Sequence, residues 1–140
     1  MSAVKLKIIF IHVFFIFFYI SSSANADIKY PHPDETRVVL TKDENTSLLK
    51  GVLRIRNPGD QPWLVQSWVE DNQKRKSKIV FPTLTRLEPD SVINLTIQDK
   101  KNKENNKFIV VLFIPNADDN ENNIVTIPVA YRLKILYNED

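Results

Sequence analysis

The apolar positions of this chain recur at every second residue, with no helical spacing in evidence. The longest case is Ile124 to Tyr137 (IVTIPVAYRLKILY). Val125, Ile127, Val129, Tyr131, Leu133 and Ile135 occupy one phase, and Thr126, Pro128, Ala130, Arg132, Lys134 and Leu136 the other. Alternation sustained over that length predicts a long β-strand with one apolar face. Such a strand is too long to pair fully within a small domain. It also contains a proline, which edge strands tolerate and central strands exclude. An apolar strand with a free edge is an aggregation hazard, so its retention points to a use, namely pairing with a strand of another chain.

Six shorter runs precede it, each closed by polar punctuation. Arg37 to Leu40 opens the series after the Pro31/Pro33 segment. Leu48 to Arg56 follows, with Leu53 and Ile55 inward, and ends at the turn Asn57-Pro58-Gly59-Asp60. Trp63 to Val69 places Leu64, Gln66 and Trp68 on one face and Trp63, Val65 and Val69 on the other, with Trp68 expected as the core tryptophan. Ile79 to Phe81 comes after the charged hairpin Asp71 to Lys78. Val92 to Ile97 directs Ile93, Leu95 and Ile97 to one side. Lys107 to Ile114 is nearly continuous in apolar residues, which predicts a central strand. Seven short strands joined by polar turns predict an all-β, seven-stranded immunoglobulin-like β-sandwich.

The N-terminus has a different character. Lys5 and Lys7 precede the apolar run Ile8 to Ile20, and Ala24-Asn25-Ala26 has the small-x-small form of a cleavage site. This reads as a secretory signal peptide over residues 1–26, leaving 27–140 as one mature domain. The run is shorter than the roughly 17–25 residues of a membrane-spanning helix, so no stable membrane insertion is expected. The chain has 19 basic and 17 acidic residues, and the leader holds two of the basic ones. The mature domain is thus balanced at 17 against 17, which removes any electrostatic case for nucleic acid. With no cysteine, an exported domain must rely on its hydrophobic core alone.

Catalysis finds no constellation, and neither a cofactor nor a metal is expected. His32 is the only histidine after the leader, and without cysteine a triad or metal cluster would depend on it. The acidic run Asp118-Asp119-Asn120-Glu121 lacks the spacing of a calcium loop. Arg86 and Glu88, flanking Leu87 before Pro89, are expected to form a local ion pair.

Three segments together carry a resemblance: Pro62 to Glu70 (PWLVQSWVE), Arg86 to Pro89 (RLEP) and Tyr131 to Tyr137 (YRLKILY). With Thr36-Arg37-Val38-Val39 at the opening and Ile114-Pro115 at the end of the sixth strand, the chain resembles the N-terminal domain of periplasmic pilus-assembly chaperones of the chaperone–usher pathway. The resemblance runs from about Thr36 to Tyr137. It implies a periplasmic protein whose partners are pilus (fimbrial) subunits and an outer-membrane usher. It further implies donor-strand complementation, in which the chaperone lends its seventh strand to a subunit that lacks one. By position the donor side chains are Val125, Ile127 and Val129. The residues matching the family's carboxylate-binding cations are Arg37 and Lys134. Pro128 departs from the small non-proline residue usual there.

Members of that family carry two immunoglobulin-like domains. This sequence ends at Asn138-Glu139-Asp140, where the linker is expected, so the reading is of the N-terminal domain with the second absent. The competing reading is a secreted immunoglobulin-like structural or adhesive pilus component. Such a component is expected to carry an alternating apolar extension ahead of its fold, and Asp27 to Glu35 (DIKYPHPDE) has none.

Overall fold

The computed structural model describes residues 29–100, 106–116 and 127–138. The leader, the acidic run at 118–121 and Val125 lie outside the described residues. Those described form ten strands and no helix: β1 (His32–Pro33), β2 (Arg37–Lys42), β3 (Leu48–Asn57), β4 (Trp63–Asp71), β5 (Lys76–Ser77), β6 (Val80–Phe81), β7 (Leu84–Leu87), β8 (Ser91–Lys100), β9 (Lys107–Pro115) and β10 (Val129–Tyr137). The seven expected strands are all present. The count differs because β1, β5 and β7 add two- to four-residue ladders, too short for periodicity to register.

Hydrogen bonding runs in the order β5-β4-β9-β10-β2-β3-β8-β6, with β1 on β3 and β7 on β4. The path folds over at β2, which belongs to two layers. Arg37 to Leu40 pair in parallel with β10, and Thr41 and Lys42 then pair antiparallel with Lys50 and Leu49 of β3. One layer is therefore β1, β3, β8 and β6, and the other is β4, β5, β7, β9 and β10. The crossover needs Gly51. A Cβ there would lie 2.5 Å from Leu40 Cδ2 and 2.7 Å from the Val39 carbonyl oxygen, closer than carbon packs.

Period-two alternation places the core between the layers. Val38 and Leu40, Leu53 and Ile55, Val65 and Val69, Leu95 and Ile97, Ile109, Val111 and Phe113, and Leu133 and Ile135 all point inward and are buried. As expected, Leu53, Ile55, Leu95 and Ile97 lie on inward phases, and β9 is central, paired with β4 on one side and β10 on the other. At roughly 1.5–3 kcal/mol for each buried aliphatic, this face is the main stabilising term.

Two expectations change. The core tryptophan is Trp63, 8% exposed, and Trp68 faces outward. There it donates Nε1 to Glu70 Oε2 at 3.2 Å and carries the Lys76 ammonium 4.2 Å above its ring. Ser67, small and polar, is the inward residue between Val65 and Val69, where its Oγ donates to the Pro82 carbonyl at 2.7 Å, and it masks the inward phase of β4 in the sequence. The closing strand was expected over Ile124 to Tyr137, whereas β10 begins at Val129. Pro128, with no N–H to donate, stands immediately before it.

The turns are held by specific side chains. Asn57 is fully buried at the end of β3. Its Nδ2 donates to the carbonyls of Gln61 and Glu88 at 2.8 and 2.9 Å, and its Oδ1 accepts the Gly59 N–H at 3.1 Å. Asp71 Oδ1 accepts the amides of Gln73 and Arg75 in the charged hairpin. Arg86 and Glu88 form the expected exposed pair at 2.7 Å.

Candidate functional site

The site is assembled on β10, which the fold divides into two unequal parts. From Val129 to Lys134 the strand pairs antiparallel with β9, Phe113 to Phe108. On its other edge it pairs with β2 only from Lys134 to Tyr137. Among the described residues, Val129 to Leu133 therefore has one ladder and one unpaired edge. Unpaired N–H and C=O groups in a row are a template for another strand.

The side chains follow the same division. Ile135 and Leu133 are buried in the core, and Tyr131, next on that phase, is partly buried with its ring edge-on to Phe113 at 5.7 Å. Val129 is half-buried, and Ile127, last on the phase, is 69% exposed. One stripe of apolar residues thus begins inside the domain and runs out beyond it. Val125 continues the phase in sequence but lies outside the described residues.

Arg37 and Lys134 are brought together. They are register partners in the parallel β2–β10 ladder, so about 4.8 Å separates their strands. Val38 and Leu133 point into the core, so Arg37 and Lys134 share the outward face, where both are exposed. The ion pairs among the described residues engage Arg54, Arg56, Arg75, Arg86, Lys107 and Arg132, and neither Arg37 nor Lys134. A planar fork beside a point charge suits an anionic carboxylate.

Two polar clusters around β10 were not anticipated. Asp99, 7% exposed, sits where β8, β9 and β10 converge. Its Oδ2 accepts the Lys107 ammonium and the Tyr137 hydroxyl, the latter at 2.9 Å, and its Oδ1 accepts the Lys100 amide. Burial, then the bond to Asp99, pushes the Tyr137 hydroxyl well above its ordinary value. A sequence signal existed. Asp99, Lys107 and Tyr137 all continue apolar inward phases (Leu95/Ile97, Ile109/Val111, Leu133/Ile135), and a charge on a buried phase requires a partner. The second cluster is Glu70 and Arg132, with Arg132 Nε donating to Glu70 Oε1 at 2.8 Å. The two lie 62 positions apart, and nothing in the sequence links them. The Arg132 bond holds the Glu70 carboxyl below the usual glutamate range against the opposing effect of burial. Among the described residues no group of three or more His, Cys, Asp or Glu side chains is placed to hold a metal ion.

Comparison with known proteins agrees with this architecture. The family described as pili and flagellar-assembly chaperone, PapD N-terminal domain, matches residues 32–138. The FasE protein of Escherichia coli is 42% identical over 108 residues, covering 76% of this chain and 81% of FasE. A Salmonella enterica structure of SafA pilin in complex with the SafB chaperone matches with a TM-score of 0.62 at 20% identity, over 79% of this chain and 54% of the matched one. The periplasmic chaperone SfaE matches with a TM-score of 0.58 at 24% identity, over 78% of this chain and 57% of its own. The chain spans about half the length of these solved structures, and they identify its fold as immunoglobulin-like. On the family match and the FasE identity together, the chain belongs to the pilus-assembly chaperone family through its PapD-type N-terminal domain.

Proposed function

We propose that this protein is a periplasmic chaperone domain that captures pilus subunits by lending them the first part of β10, for delivery to an outer-membrane usher. The observation that carries this reading is the half-open strand. Val129 to Leu133 has a ladder on one edge only, and the apolar phase that fills the domain's own core from Leu133 onward emerges into solvent at Ile127. A strand joining that edge gains main-chain hydrogen bonds, and the branched side chains of Val125, Ile127 and Val129 enter its vacant core. A one-residue slip would offer Thr126, Pro128 and Ala130 instead. At roughly 1.5–3 kcal/mol per buried aliphatic, that difference sets the register.

Arg37 and Lys134 then bind the terminal carboxylate of the subunit, fixing where along β10 the client begins. Export rests on the leader-like residues 1–26, and the periplasm is the compartment in which such a subunit would be met. The absence of a catalytic constellation in the sequence accords with a binding role.

Co-expression with a pilus subunit followed by affinity purification tests this. Wild-type chain should yield a soluble 1:1 complex, and Arg37→Ala or Lys134→Ala should lose it while keeping a folded domain. Undiminished yield from both variants would refute the carboxylate assignment. Polymers in place of a 1:1 complex would instead mark the chain as a structural pilus component.

A further inference from the structure

On the outward face of the second layer, Lys134 of β10, Phe108 of β9 and Glu70 of β4 stand in one cross-strand row, with Arg37 of β2 beyond Lys134. Two strand spacings, about 10 Å between Cα atoms, separate Lys134 from Glu70. Lysine and glutamate side chains leaning toward each other can span that gap. Glu70 is 7% exposed, and a carboxylate so poorly hydrated attracts any cation within reach. Unopposed, it would draw Lys134 across the sheet and repel an arriving anion.

Arg132 stands between them. From the next outward position of β10 its guanidinium lies over Phe108, Cζ 3.5 Å from the ring centroid, and reaches Glu70 Oε1. Trp68 donates to Oε2, so both carboxylate oxygens are engaged by groups other than Lys134. The aromatic ring below and Val110 beside it, buried on the outward face, keep the guanidinium in this pose.

We infer that Arg132 is a positioning residue for the carboxylate-binding pair: by neutralising Glu70 it leaves Lys134 directed, with Arg37, at the anionic end of a client chain. The inference rests on the subunit-capture reading above. It differs from two simpler roles for Arg132, that of a third ligand to the client and that of a fastening between β10 and β4.

The test is a mutant cycle on the full chain. The probe is a fluorescein-labelled peptide of alternating valine and threonine with a free C-terminal carboxylate, compared by anisotropy with its amidated twin. Wild type should prefer the free acid. Arg132→Gln should lose about tenfold of that preference, Glu70→Gln should stay within about twofold of wild type, and the double variant should recover to within about twofold. Arg132→Lys, which keeps a charge over Glu70, should hold the preference, and it carries the comparison if Arg132→Gln does not fold.

A loss in Arg132→Gln that Glu70→Gln fails to rescue overturns the inference in favour of direct ligation, as does an equal loss in Arg132→Lys. A loss in Glu70→Gln as large as that in Arg132→Gln overturns it in favour of a fastening. No loss in Arg132→Gln overturns it outright. If wild type does not distinguish the two peptides, or Lys134→Ala distinguishes them as well as wild type, the carboxylate reading itself falls and this inference with it.

Discussion

Asp99 shows how a single side chain can close one end of a sandwich. It lies on the buried phase of β8 and takes partners from β9 and β10 in the opposite layer, so its removal leaves the partly buried Lys107 ammonium unpaired. Asp99→Ala should destabilise the domain by about 3–5 kcal/mol, the usual consequence of breaking a buried pair. Tyr137→Phe, which deletes one bond to a charged acceptor, should cost about 1.5–3 kcal/mol. Urea midpoints of the two variants check the ordering. Glu70 adds a pH dependence. Its folded pKa is depressed, chiefly by the Arg132 bond, so the stabilisation is complete above the ordinary value of 4.5 and is lost as pH falls below it. Stability should therefore begin to fall as pH drops below 4.5, and Glu70→Gln should flatten that slope in urea titrations. At this scale the sequence was least legible. The inward phase of Asp99 could have been read, but Glu70 meets Arg132 only through the register of three strands.

At the scale of the element, β10 is one strand in two environments. Leu133 and Ile135 serve the host core, whereas Val129 is only half-buried and Ile127, just ahead of the strand, is exposed among the described residues. Ile127→Asp should thus leave the melting temperature nearly unchanged, within about 0.5 kcal/mol in stability, while abolishing co-purification with a subunit. A large drop in melting temperature would place Ile127 in the domain's own packing and remove it from the donor set. The strand's existence, phase and free edge were readable from alternation and from its proline. Its start was not, because Pro128 falls on the alternate phase and leaves the apolar alternation unbroken, yet cannot join a ladder as a donor. Trp63 and Trp68 make the same point. Both phases of β4 carry a tryptophan, and pattern alone cannot choose between them when the inward phase also holds a serine.

At the scale of the whole molecule, the decisive element is β2. The layers share it, and its parallel ladder with β10 is what makes Arg37 a neighbour of Lys134. The family resemblance pairs these two residues as carboxylate-binding cations, whereas no spacing rule relates positions so far apart in the chain. Gly51 permits the crossover, and the Val39 backbone oxygen beside it cannot swing aside as a side chain would. Gly51→Ala should lower stability by about 1–3 kcal/mol and weaken client capture as well, since moving β2 moves Arg37. Denaturation midpoints and complex yield together check this, and a stable variant with normal yield would show that the crossover has slack.

The split environment of β10 has an evolutionary consequence. Under the proposed subunit-capture reading, substitutions ahead of Tyr131 would be screened by the fit of a foreign groove, and those after it by the integrity of the host. Client preference can therefore drift among branched aliphatics without eroding the scaffold that displays them, because the adjustable teeth and the fixed shank of the key are successive turns of one pleat.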